Sequence, residues 1–75
     1  MDTNEFFIAT NISPALKVRL ERIRRQWRQV DLAEKAGVTQ AEISAFERGL
    51  YIIPSARRRV LVALDLLDEE AANDQ

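Results

Sequence analysis

Leu16, Leu20, Ile23 and Trp27 are separated by four, three and four positions, the spacing of one face of an α-helix, while Lys17, Arg24, Arg25 and Arg28 fall elsewhere on it. That apolar face is expected to be core. Ser13-Pro14 supplies the start: a hydroxyl that can accept from an unpaired amide, then a proline where no N–H is needed. A second helix of barely two turns is expected from about Gln29 to Ala36, where Val30, Leu32 and Ala33 alternate with Asp31, Glu34 and Lys35. Gly37 follows it as a residue free to take positive φ. Thr39 with Glu42 three residues on is the signature of a capping box, and it opens a third helix with Ile43 and Phe46 inward and Gly49 as its stop. With only Gly37 to Thr39 between them, the second and third helices must cross sharply.

Leu50, Tyr51, Ile52 and Ile53 form an apolar loop before Pro54-Ser55, and a last helix is expected from about Ser55 to Glu69 or Glu70. Its Val60, Leu61, Val62, Leu64, Leu66 and Leu67 cover more than one stripe, which leaves an apolar face to spare. Phe6, Phe7 and Ile8 precede Ala9-Thr10-Asn11 as a short arm, and Ala71 to Gln75 reads as a fraying tail. The expected fold class is all-α, a compact bundle of four short helices, or five. The expected division is an N-terminal arm over 1–12, a helix-turn-helix domain over 13–67 and an acidic tail over 68–75.

Length and composition narrow the chemistry. Seventy-five residues hold one core at most, and such a domain buries only about 60% of its unfolded surface, so a dimer contact is worth seeking. With 47% hydrophobic and 31% charged residues, the chain has the balance of a folded domain. It contains no Cys and no His, which removes thiolate nucleophiles, disulfides, the usual zinc ligands and imidazole as a general base. No convergent triad or metal cluster can be assembled from the remaining Ser, Lys and Glu, so an enzyme, a cofactor and a metal are not expected. No run of about 18 apolar residues exists to span a bilayer, and Met1 to Glu5 lacks the basic region of a secretory signal, so a cytoplasmic protein is expected.

The net charge of -1 argues against a polyanionic partner until it is partitioned. All 11 bases lie in residues 13–64 with five acids, a net +6; residues 1–12 hold Asp2 and Glu5 and no base, and residues 65–75 hold five acids and no base. A basic body between acidic ends suits a polyanion such as nucleic acid, although scattered charged helix faces would give the same count.

The run Gln29-Val30-Asp31-Leu32-Ala33-Glu34-Lys35-Ala36-Gly37-Val38-Thr39-Gln40-Ala41-Glu42-Ile43-Ser44-Ala45-Phe46-Glu47-Arg48-Gly49 resembles the helix-turn-helix of phage-repressor and Cro-type (Xre-type) regulators, of the lambda-repressor-like fold. The resemblance extends over roughly residues 14–67. Each position also has a steric reason: Ala33 is small where the next helix crosses, Gly37 makes the turn, and Ile43 and Phe46 anchor the third helix. The resemblance implies that Gln29 touches a phosphate and braces the recognition helix. An exposed polar cap is the plainer alternative, but a helix N-terminus already favours an anion. It further implies that Thr39, Gln40, Ala41, Glu42, Ser44 and Ala45 face the major groove. Gln40 can pair bidentately with adenine, Ala41 and Ala45 can meet a thymine methyl, and Glu42 can accept from cytosine N4 or serve only as the partner of Thr39 in the cap. Thr39 and Ser44 suit phosphate or cap roles. Arg28, Arg48, Arg57 and Arg58 are phosphate candidates, with helix-surface solvation as the alternative. Glu47 resembles the family's buried acid, and Arg22 stands where its arginine partner would.

Two departures from the family pattern stand out. Gln26 and Trp27 replace the usual glycine and aliphatic residue between the first two helices, so the first helix either continues or passes through a left-handed Gln26. Arg28 replaces a small N-cap. The resulting expectation is a sequence-specific DNA-binding regulator, a repressor acting as a homodimer on an inverted repeat and associated with the nucleoid, with Tyr51, Ile53, Val62 and Leu66 as dimer contacts. The alternative is a helix-turn-helix module that docks on another protein through the arm or the acidic tail. Arg57, Arg58 and Arg59, three positive charges in a helix's first turn, call for a compensating anion, either a DNA phosphate or that acidic tail.

Overall fold

A computed structural model describes residues 12–68. Four helices follow one another, α1 (Pro14–Arg24), α2 (Gln29–Ala36), α3 (Gln40–Glu47) and α4 (Pro54–Ala63), and no strand occurs among the described residues. The all-α bundle is therefore as expected. The expectations for the arm as far as Asn11, and for the tail from Glu69 onward, lie outside the described residues.

The helix starts follow the local chemistry. Ser13 Oγ accepts from the Leu16 N–H at 3.2 Å, and Pro14 opens α1. Thr39 Oγ1 accepts from the Glu42 N–H at 3.1 Å while Glu42 Oε1 accepts from the Thr39 N–H at 2.9 Å, a complete capping box for α3. Arg28 has no side-chain oxygen to offer α2, and Asp31 compensates: its carboxylate takes the Arg28 backbone N–H at 2.8 Å and the guanidinium at 3.0 and 3.1 Å. α4 starts at Pro54, so Arg57, Arg58 and Arg59 lie in its second turn and not the first, past the reach of the unfavourable dipole.

All four helices end in one motif. Each closes on a left-handed residue, Gln26 (φ 61°), Gly37 (φ 72°), Gly49 (φ 77°) and Asp65 (φ 57°). In each case the following amide reaches back five residues: Trp27 to the Arg22 carbonyl, Val38 to Ala33, Leu50 to Ala45 and Leu66 to Leu61, at 2.8 to 3.1 Å. These are Schellman caps, which satisfy carbonyls a helix end otherwise leaves bare. The last one explains why α4 stops at Ala63 although apolar residues continue: Asp65 turns left-handed, so the helix does not run on through residues 64–68 as the expected extension requires.

The core is small. Val18, Leu32, Ala33, Ala36, Ile43, Phe46, Ala56, Val60 and Leu64 are buried, with Trp27, Val38, Ile52 and Leu61 packed at its edge. α2 packs on α3 and α4, and α1 packs on α3. The expected core face of α1 is corrected: Leu16, Leu20 and Ile23 are 42%, 46% and 50% exposed, and Val18 is the buried residue of that helix. At 100° per residue Val18 and Arg22 point nearly opposite to those three, so the side turned inward combines one valine with the stem of an arginine.

The two ends of the motif series make opposite predictions. Gln26 has a β-carbon in a left-handed conformation, so Gln26→Gly should raise stability by about 0.5–1 kcal/mol in urea unfolding, less than the full strain because glycine loosens the unfolded chain. A β-carbon on Gly37 would meet nothing within 4 Å, so Gly37→Ala carries the φ strain alone and should cost about 1 kcal/mol.

Candidate nucleic-acid interface

α3 presents one side to the core and the other to solvent. Ile43 and Phe46 are buried, whereas Gln40, Ala41 and Arg48 are exposed and Ser44 and Ala45 half-buried. The outward surface is therefore small and polar, a helix face able to lie close against another surface. Ala33 is 4% exposed where α2 and α3 cross, and the left-handed Gly37 makes the turn between them.

Both acids of α3 are engaged by its own surroundings. Glu42 Oε1 takes the Thr39 N–H and, at 3.2 Å, the Thr39 hydroxyl. Glu47 is held from outside the helix. Arg22 of α1 donates to both of its oxygens, Nε to Oε2 at 2.6 Å and Nη2 to Oε1 at 3.0 Å, and the two side chains are only 13% and 5% exposed. Gln29, the first residue of α2, donates from Nε2 to Glu47 Oε1 at 3.3 Å. One carboxylate thus ties α1 and α2 to α3. The hydrogen bond that Arg22 donates to Glu47 raises its already high pKa, against the opposing effect of burial.

The third reach of Arg22 is local: Nη1 donates to the Trp27 carbonyl at 2.8 Å, fixing the turn that Gln26 makes. Trp27 in turn lies under two cations, Lys35 Nζ at 4.8 Å and the Arg25 guanidinium at 5.4 Å from the ring centre. Arg25 also meets Glu21 at 2.7 Å and Asp65 at 3.2 Å, linking α1 to the end of α4. Asp65, the first of the C-terminal acids, is thus engaged by Arg25. This Trp27–Arg25–Asp65 connection has no short-range signal in the chain, since Arg25 and Asp65 are 40 residues apart.

The basic candidates lie on several elements. Arg48 follows it, exposed, with Nε 3.4 Å from the Ser44 carbonyl. The Arg57 guanidinium stacks 5.0 Å from the Phe46 ring centre, and Arg59 Nη1 lies 3.5 Å from the Gly37 carbonyl, at the turn. Arg58 is half-buried. Arg28 is exposed at the start of α2 but paired with Asp31, whose carboxyl is lowered to about 2, chiefly by hydrogen bonds from the Arg28 side chain and backbone. Tyr51 and Ile53, 80% and 54% exposed, line a shallow cleft beside Ala41, Glu42 and Ala45. Leu66 is 37% exposed and Val62 half-buried at the other end of α4.

A family model described as Helix-turn-helix matches residues 18–63, more than half of the chain. Comparison with curated proteins and with solved structures returns no match.

Removing one member of the buried pair leaves the other uncompensated. Glu47→Ala should therefore cost about 3 kcal/mol in thermal or urea unfolding, and Arg22→Met combined with Glu47→Leu should recover much of that loss. For Asp31 the sign follows from its depressed folded-state pKa: its contribution is complete above the ordinary carboxylate value and is lost as pH falls toward about 2. In Asp31→Asn the stability should flatten between about pH 4 and pH 2 relative to the parent; an unchanged acid limb would show that the pairing does not bear on folding.

Proposed function

Because the chain belongs to the Xre/Cro/cI-type family of helix-turn-helix DNA-binding regulators, we propose that it is a sequence-specific repressor that binds an inverted-repeat operator as a homodimer with α3 in the major groove. The observation that carries this reading is the composition of α3's outer face: small or polar side chains outward, and both of its acids occupied within the fold. A carboxylate turned freely outward would meet phosphate repulsion. Here Glu47 is neutralised by Arg22 and Glu42 serves the cap, so Glu42 is no longer a favoured base reader.

Gln40 is the strongest candidate for direct readout, an exposed amide at the first turn of α3 that can pair with adenine N6 and N7. Ala41 and Ala45 allow close approach and suit thymine methyl contact. Gln29 combines a brace with an anion site: its amide holds Glu47 while the first turn of α2 offers unpaired N–H groups to a phosphate. Thr39, Ser44, Arg48, Arg57 and Arg58 contribute phosphate contacts, and Arg28 joins them by exchanging Asp31 for DNA. Occupying an operator is sufficient to block transcription, which supports the repressor reading.

The dimer contact is assigned to the apolar residues left outside the core, Tyr51, Ile53, Val62 and Leu66. Two α3 helices related by a two-fold axis would then enter major grooves about 34 Å apart.

Selection of bound sequences from random duplexes should yield an inverted repeat with half-sites one helical turn apart, and affinity that falls steeply with log salt. Gln40→Ala should weaken binding by about 1–3 kcal/mol and relax one base position, whereas Arg48→Ala should weaken all sequences alike and lower the salt slope. Sequence-independent binding would overturn the specific reading. A strict monomer in sedimentation, with and without operator, would remove the dimer.

A further inference from the structure

The outer stripe of α1 has no role in the core or in the proposed interface. Leu16, Leu20 and Ile23 recur at helical spacing, turn away from Val18, and are each about half exposed. Arg19 flanks the stripe on one side and Lys17 and Arg24 on the other, Arg24 paired with Glu21 at 2.9 Å, so the rim keeps a basic excess. We propose that this stripe is the docking site of the chain's own N-terminal arm, with Phe6, Phe7 and Ile8 covering Leu16, Leu20 and Ile23 and with Asp2 and Glu5 meeting the basic rim.

Reach, chemistry and the failure of the competitors all favour that occupant. The described chain begins at Ile12, immediately before the Ser13 cap, at the same end of α1 where the stripe starts. Ile8 is four residues from Ile12, a span of up to about 13 Å, while Leu16 to Ile23 covers about 10 Å of helix axis. Ala9-Thr10-Asn11 supplies residues that tolerate a reversal of direction. A tether this short gives an effective concentration in the millimolar range, so modest contact suffices. The arm carries three large apolar residues and two acids without a base, the complement of an apolar stripe with a basic rim. The acidic tail is a poor alternative, because residues 69–75 contain no apolar side chain larger than alanine. A second copy of the stripe would bring Arg19, Lys17 and Arg24 against their equivalents, and like charges oppose that pairing.

The absence of cysteine allows a direct test on the full chain. Ile8→Cys combined with Leu20→Cys should oxidise to an intramolecular disulfide, at a rate independent of protein concentration and at least tenfold faster than Ile8→Cys paired with Glu34→Cys on α2. Deleting residues 1–8 should lower the unfolding midpoint of the parent, and that of Leu20→Ser by less, since one of the three contacts is already gone. Cross-linking of positions 8 and 34 as fast as positions 8 and 20 would overturn the proposal. So would products that are only intermolecular, which would assign the stripe to a second copy, or a deletion that lowers both midpoints equally. DNA binding is measured separately on the same variants, so failure of the arm contact is distinguishable from failure of the operator reading.

Discussion

Arg22 is held by one distant acceptor and one local one: both oxygens of Glu47 in α3 and the Trp27 carbonyl in the turn before α2. With Gln29 added from the start of α2, one carboxylate becomes the meeting point of three helices. A fixed guanidinium fork suits this position because it supplies several directed N–H groups from a single planar group. A core of nine buried residues among those described, five of them alanine or valine beside two leucines, one isoleucine and one phenylalanine, has little apolar area to fix helix angles. The ion pair supplies geometry that the apolar contacts leave loose, and the cost of burying it is offset because every oxygen of Glu47 has a donor.

That same interaction shapes the proposed interface. α3 needs a carboxylate to receive Arg22, yet a carboxylate on its outward side would oppose DNA. Placing Glu47 on the inward side, 5% exposed, meets both requirements. Glu42 meets them differently, by folding back on the N-terminus that it caps. The positive surroundings of α3 therefore act without opposition from the helix that would enter the groove, and the whole-chain charge of -1 says little about the field there.

Much of the fold was legible because its signals are local. Ser13-Pro14, Thr39 with Glu42, Gly37 and Gly49 each act within a few residues, and each stands where the spacing predicted. The Arg22 and Glu47 side chains were matched only through the family resemblance, since nothing local pairs positions 25 residues apart. Two readings failed for physical reasons. Periodicity selects the most apolar face, but α1 turns Val18 and the arginine stems inward, and the hydrophobic pattern does not register an ion pair as core. The end of α4 was set too far along because apolar residues continue past it, while the stop depends on Asp65 adopting a left-handed conformation that an aspartate tolerates but does not announce.

The mismatch on α1 also clarifies what a short helical domain must solve. A helix with Val18 and Arg22 inward and Leu16, Leu20 and Ile23 outward has two faces that avoid water, and a four-helix arrangement with α3 on one of them leaves the other bare. Sequence alone could not distinguish these faces, because both obey the same period and only the position of Glu47 decides which one turns in. Once the ion pair has chosen, the leucine stripe becomes surplus to the fold, and its basic rim restricts what can cover it. The constraint that orders the core thus also creates the surface that calls for a second contact.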